Sequence, residues 1–216
     1  MFFHFHPYKP FVHKQTKKLI IGTLPPPRFC NNEFKPTDVN FCYGSKDNLL
    51  WPILDRIYNL NLEFSNTSKA VEQRKEFLIK NQVGICDIVE SCKREKVDAS
   101  DLGMSDIILR DILQILRDYK QIDTLLFMGG SSKNSPQYFL KQILKQNGIK
   151  YTLEKNSLPK IYSFEFEQRE IKTVSLTSPS NAANRFIGST SLFKEMKKQN
   201  PNYTTFDFRV SQYEKF

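Results

Sequence analysis

Residues 41–52 read FCYGSKDNLLWP, two aromatics, a glycine, a lysine and an Asp-Asn pair directly ahead of an apolar run with helical character. Such text supports two readings. One is a turn that opens a helix, with Asn48 as its cap, a common task for Asp-Asn pairs. The other is a pocket wall for something flat that forms hydrogen bonds. Three further stretches carry polar groups at the ends of apolar runs. GTLPPPRF at 22–29 holds three consecutive prolines, which stiffen a loop. GGSSKN at 129–134 offers glycine and serine amides together with Lys133, a combination that can cup a phosphate at a helix N-terminus, although it lacks the spacing of a nucleotide-binding loop. TSPSNAANR at 177–185 supplies Ser178, Pro179, Ser180, Asn181, Asn184 and Arg185; small hydroxyls and amides around a proline can clamp a phosphodiester backbone, and the arginine adds charge. His4, His6 and His13 all lie near the N-terminus, and His-x-His invites a metal reading, but no acidic or cysteine partner stands nearby in the chain.

These stretches need a scaffold, and the chain is long enough to build one. Its 216 residues are expected to form a single domain spanning 1–216. An aromatic content of 13%, with 18 phenylalanines, excludes a disordered chain, because there is ample apolar surface to bury. Lysine and arginine number 32 against 23 acidic residues, a formal charge of +9 that suits a polyanionic partner such as nucleic acid but also occurs in small basic enzymes. Cys30, Cys42, Cys86 and Cys92 form no C-x-x-C pair and read as reduced thiols. No apolar run approaches membrane-spanning length and MFFHFHPYKP lacks the features of a signal peptide, so a cytoplasmic protein with no membrane partner is expected.

Four short apolar runs, at 18–23, 83–89, 122–130 and 171–180, end in glycine, aspartate, serine or threonine. They predict buried parallel strands with polar carboxyl ends. Helical patterns are predicted between them at 49–60, 66–81, 105–119, 134–147 and 189–199, and residues 149–153 and 160–166 read as a hairpin or edge strands. Alternating strands and helices imply an α/β fold, a three-layer α/β/α sandwich whose ligands sit at the carboxyl ends of the strands.

In order along the chain, GTLPPPRF, FCYGSKDNLLWPIL, GICDIVESC and LTSPSNAAN resemble the motifs of the uracil-DNA glycosylase superfamily. They are most similar to its hypoxanthine-DNA glycosylase branch, with the mismatch-specific uracil glycosylases as cousins. The resemblance runs from about residue 10 to 185, and 41–52 is its most specific part. It implies a four-stranded parallel sheet between helices, and hydrolysis of the N-glycosidic bond of a deaminated base, hypoxanthine or uracil, flipped out of DNA. It implies no metal or cofactor, and a monomer is expected. Tyr43 falls where the family stacks an aromatic on the extruded base, and Asn48 where the hypoxanthine branch has its catalytic asparagine. Asp87 falls at a pocket-facing position able to read a base's edge, with Gly22, Thr23 and Leu24 beside it. The 177–184 loop falls where the family pinches the backbone as the base flips. Leu24 occupies the slot in which many superfamily members carry Asp or Asn, and Asn181 stands where proline is usual. A nucleic-acid or nucleobase binding protein that keeps the fold without the chemistry is the alternative, and a hydrolase of free nucleosides a third.

Overall fold

The computed structural model describes residues 1–96 and 101–216. Its strands are β1 (Phe2–Phe5), β2 (Lys18–Gly22), β3 (Val83–Asp87), β4 (Val89–Arg94), β5 (Met104–Leu109), β6 (Thr124–Met128), β7 (Thr152–Lys155), β8 (Lys160–Phe166) and β9 (Arg169–Leu176). Its helices are α1 (Leu50–Tyr58), α2 (Ser68–Lys80), α3 (Ile112–Asp118), α4 (Pro136–Gln146), α5 (Asn184–Ser189), α6 (Ser191–Gln199) and α7 (Thr205–Tyr213). The central sheet runs β3-β2-β6-β9-β8-β7, with the first four strands parallel and β8 and β7 antiparallel at one edge. The four parallel strands are those expected from the apolar runs. The sheet is six-stranded rather than four-stranded because the 149–166 segment joins it.

Side chains alternate across this sheet, as strand geometry requires. Leu19, Ile21, Leu125 and Phe127 enter one core with α3 and α4, through Ile112, Leu116, Phe139 and Leu140. Ile20, Leu126 and Val174 enter the other with α1, α2 and α7, through Trp51, Ile53, Leu78 and Tyr213. Because both faces are covered, the strands read as continuous apolar runs. Trp51 is buried, donates its indole N–H to Cys42 O at 2.8 Å, and carries Arg74 over its ring at 5.2 Å. All four cysteines are free thiols. Among the described residues no helix is long and apolar enough to cross a membrane.

Several elements differ from the sequence expectation. The helix expected over 105–119 is confined to 112–118, because 104–109 form β5 against β4. Ile108 satisfies helical spacing to Ile112, yet it is exposed, and Asp111 caps α3 by accepting from Gln114 N at 2.8 Å. The run 83–89 breaks after Asp87, and β4 leaves the central sheet to make a second, antiparallel sheet, β1-β4-β5. The helix expected over 189–199 is α6, which starts at Ser191 behind Thr190, whose extended backbone and hydroxyl cap it, and the short α5 ahead of it was not expected. Neither β1 nor α7 was expected, and both help build the site.

Candidate functional site

The carboxyl ends of β2 and β3 and the loop after β9 open on a cleft of about 660 Å³. Gly22, at the end of β2, is its tightest point. A Cβ there would lie 1.9 Å from Tyr43 Oη and 2.3 Å from Asp87 Oδ1, so only glycine lets the two side chains converge over the strand end. The hydroxyl end of the Tyr43 ring therefore sits over Gly22. Tyr43 Oη is buried without a hydrogen-bond partner among the described residues, and burial followed by the nearby Asp87 pushes the phenol well above its usual range.

The 41–49 loop is built to aim that ring. Tyr43 has a φ of 58°, a left-handed conformation costly for a bulky side chain. It is held there by a tight turn in which Val39 N donates to Gly44 O at 2.7 Å and Gly44 N donates to Phe41 O at 2.9 Å. A Cβ on Gly44 would lie 1.8 Å from Val39 O, so this glycine is required by close approach. Beneath the loop lies Asp38, fully buried. It accepts two bonds from Arg28, both 2.8 Å, and one each from Lys46 N at 2.7 Å and Lys35 N at 2.9 Å. Burial alone would raise this carboxyl, but the bonds from Arg28 and the two backbone amides outweigh it and hold it below the usual carboxylate range. Arg28 also donates to Ser45 Oγ at 2.8 Å and lines the cleft.

Asn48 lines the cleft at the start of α1. Its Oδ1 accepts from Leu50 N at 2.9 Å, satisfying one of the unpaired amides of the first helical turn. The N-cap position itself is Leu49, so Asn48 serves the helix start from one residue ahead, through an Asx turn. The same bond fixes which end of the amide is oxygen, because an NH₂ group could not face that N–H. Oδ1 keeps a second lone pair. Leu49 N donates to Pro179 O at 2.8 Å and Asn48 forms a β-bridge with Ser180, which clips this loop to the 177–185 segment.

That segment is organised by α7. Arg209, fully buried, donates to Ser178 O and Ser180 O at 2.8 Å and to Asn184 Oδ1 and Thr205 O at 3.0 Å. Burial lowers its pKa from the usual arginine range. Gln212 accepts from Thr177 N at 2.6 Å, and Tyr213 donates to Thr177 O at 2.6 Å. Ser178, Pro179 and Ser180 line the same cleft as Tyr43.

Two carboxyl groups, those of Asp87 and Asp101, line the cleft. Asp87, nearly buried, has Oδ2 2.9 Å from His6 Nε2, and His6 is delivered by the chain just after β1. Asp101 lines the cleft on the other side of Thr23, whose hydroxyl donates to Asp101 Oδ2 at 3.1 Å. Burial is the main influence on Asp101 and pushes it up to about 6, against the opposing Thr23 bond and Arg94 and with help from Asp87. His4 accepts from Arg94 Nε through Nδ1 at 2.8 Å, and burial together with Arg94 pushes it down to about 4. The His-x-His pair is thus engaged with an arginine and an aspartate, and no group of three or more potential metal-ligating side chains is found among the described residues.

The cleft brings together Gly22, Thr23, Leu24, Tyr43, Asn48, Asp87, Ser178, Pro179 and Ser180 from the sequence-derived candidates. Asn181, Asn184, Arg185 and Lys133 lie outside its lining. Asn184 is held by Arg209, and Asn181, Arg185 and Lys133 are exposed. The 129–135 loop contributes instead through Asn134, which donates to Asp101 O at 2.9 Å and braces that residue. Sequence reasoning missed Asp101, Arg28, Asp38 and Arg209 and gave His6 no place in the site. Most of their partners lie ten or more residues away, so no local motif marks them.

No family model matches this chain, and no curated protein does. Among solved structures the chain is similar to a Methanosarcina acetivorans protein provisionally assigned as a uracil DNA glycosylase and determined in solution by NMR. The two share 17% identity and superpose with a TM-score of 0.54 over 100% of each chain. At that identity the likeness establishes the fold: this chain has the same α/β architecture, a mostly parallel central sheet flanked by helices, along its whole length.

Proposed function

We propose that the protein is a DNA glycosylase that hydrolyses the N-glycosidic bond of a deaminated base, hypoxanthine or uracil, flipped out of DNA. The observation that carries this reading is the single cleft in which Tyr43, Asp87 and Asn48 converge with the Ser178–Pro179–Ser180 wall at the strand ends. In this reading Tyr43 and Asp87 engage the base above Gly22, Thr23 and Leu24. Ser178, Ser180 and the amides of the same wall take the sugar–phosphate backbone. Asn181, Asn184, Arg185 and Lys133 flank the cleft as contacts for neighbouring phosphates, where lysine and arginine act by charge.

Asn48 positions the water. An amide is no base, but its anchored carbonyl has a lone pair left for a water O–H, and orientation matters most when bond cleavage runs ahead of attack. The C1′–N bond breaks with its electron pair going to the base. The sugar passes through an oxocarbenium ion, water oxygen bonds to C1′, and the proton the water loses ends on the departing base. No metal or cofactor takes part in this sequence.

The bond from Leu50 N to Asn48 Oδ1 favours a second reading, in which Asn48 is a cap alone and the protein binds nucleic acid without cutting it. Oligonucleotides carrying uracil, hypoxanthine or xanthine, treated with alkali after incubation to reveal abasic sites, test the activity directly. Asn48→Asp keeps an acceptor for Leu50 N–H, so the cap survives, whereas Asn48→Ala loses it at about 1 kcal/mol of stability. Loss of the positioned group predicts a fall of roughly 10²–10³-fold in single-turnover cleavage for Asn48→Ala with DNA affinity retained. Full activity in that variant would sink the catalytic role, and an inactive wild type that still binds DNA would favour the second reading.

A further inference from the structure

We infer that Asp101 is a catalytic residue, the general acid that hands a proton to the base as its bond to the sugar breaks. This rests on the glycosylase reading for the reaction, and it goes further in naming the proton donor and the residue that tunes it.

A base that leaves with the electron pair of the C1′–N bond carries a negative charge, and a positioned proton removes that charge. Among the described residues the titratable side chains lining the cleft are Arg28, Tyr43, Asp47, Asp87 and Asp101. Arg28 is committed to Asp38 and Ser45. The Tyr43 phenol is pushed well above its usual range by burial. Asp47 is half exposed, and the bond from Lys46 holds it below the usual carboxylate range. Asp87 meets His6 Nε2 through Oδ2. Asp101 remains.

The surroundings of Asp101 suit a donor. Its carboxyl takes one hydrogen bond among the described residues, from the Thr23 hydroxyl to Oδ2 at 3.1 Å, and Oδ1 takes none. Thr23 follows Gly22, so the carboxyl is tethered beside the strand end over which Tyr43 and Asp87 converge. Its backbone is fixed separately, by Asn134 donating to Asp101 O at 2.9 Å. The groups facing it from the packed elements are thus Thr23 after β2, Asp87 of β3, Arg94 of β4 and Asn134 of the 129–135 loop. Burial, helped by Asp87, outweighs the Thr23 bond and Arg94, so Asp101 is pushed up to about 6 and keeps its proton in mildly acidic solution. The Asp101 O–H gives that proton to a lone pair of the departing base, uracil O2 or a hypoxanthine ring nitrogen, as the C1′–N electron pair moves into the base. Water held by Asn48 bonds to C1′, and the proton it sheds replaces the one that Asp101 gave up.

Single-turnover base release, measured from pH 5 to 8 on single-stranded oligonucleotides, tests this. The bases are hypoxanthine, uracil and 5-fluorouracil, whose fluorine lets it leave more readily as an anion. The wild type should lose about tenfold in rate per pH unit above about 6, because the acid must be protonated. Asp101→Asn should lose roughly 10²-fold on uracil at pH 5, show no such limb, and meet the wild type near pH 8. Its deficit on 5-fluorouracil at pH 5 should be at least about tenfold smaller. Thr23→Val removes a bond that favours the carboxylate, so it should move the limb to higher pH.

Wild-type rates that stay level or rise with pH through about 6 would overturn the inference and leave the glycosylase reading intact. Equal deficits of Asp101→Asn on uracil and 5-fluorouracil would do the same. So would a limb that survives in Asp101→Asn and ignores Thr23→Val, which would belong to His6 acting through Asp87. No release of any base across the range would overturn both. The wild-type profile needs no variant, so a variant that fails to fold does not shelter the inference.

Discussion

Replacing Asp101 with asparagine should stabilise the protein above neutral pH and leave it unchanged in acid. Asp101 is pushed up to about 6 from an ordinary value of 3.8, chiefly by burial in the cleft wall. The folded carboxyl therefore holds its proton more tightly than the unfolded one, and the native state is favoured where that proton is bound. This contribution is full below pH 3.8, is lost as pH rises through about 6, and is absent above that. A gap of about two pH units, at 1.36 kcal/mol each, puts the cost of the ionised carboxylate at about 3 kcal/mol as an upper bound. The amide in Asp101→Asn would keep an oxygen for the Thr23 hydroxyl and place an N–H where a negative charge had faced Asp87. Urea unfolding of Asp101→Asn and wild type at pH 4, 6 and 8 is the assay. The two should coincide at pH 4 and diverge by up to about 3 kcal/mol at pH 8, with the asparagine variant the more stable. Parallel stability curves across that range would refute the argument, because they would mean that Asp101 ionises as freely in the fold as out of it. A carboxyl that weakens the fold at neutral pH is the kind of cost that binding clefts carry.

Three further outcomes follow from the site. Arg209→Ala strips three hydrogen bonds from the wall and one from within α7 and should cost at least about 3 kcal/mol, and a lysine there, lacking the forked geometry, should recover only part of it by thermal unfolding. Gly22→Ala should drive Tyr43 and Asp87 apart, costing about 1–3 kcal/mol of stability and more than tenfold in affinity for a base-bearing oligonucleotide; unchanged affinity would mean the convergence over Gly22 is incidental. With +9 formal charge, DNA affinity should fall steeply and linearly in a log–log plot against salt, and a flat salt response would point to a free nucleoside as the ligand.

The sheet was legible because a parallel strand covered on both faces must be apolar wherever it is buried, and KLIIG and TLLFM are such strands after their first residue. Helical spacing misjudged the stretch around Ile108, where isoleucines fit both a strand and one face of a helix, and pairing with β4 decided the matter. The small sheet, β1 and α7 were hidden for another reason. Their contribution is made over long separations: His6 meets Asp87 across 81 residues and Arg209 meets Ser178 across 31.

A buried arginine whose partners are backbone carbonyls leaves no mark in sequence, since any residue supplies a carbonyl. Asn48 shows the converse. Its local spacing predicts a bond to the start of the helix, which it makes from one residue before the cap at Leu49, and the local reading alone would stop there. Yet a capping bond that uses one lone pair of an amide oxygen also locks the amide's orientation and leaves the second lone pair at the cleft. Capping and positioning are therefore compatible on one side chain, and the cap supplies the rigidity that positioning a water requires. Asn48→Asp separates the two contributions, because it preserves the acceptor at Leu50 while adding a charge and removing the NH₂ group. A variant with wild-type stability and altered cleavage would assign the chemistry to the cleft-facing half of this amide, and wild-type cleavage would assign Asn48 to the helix alone.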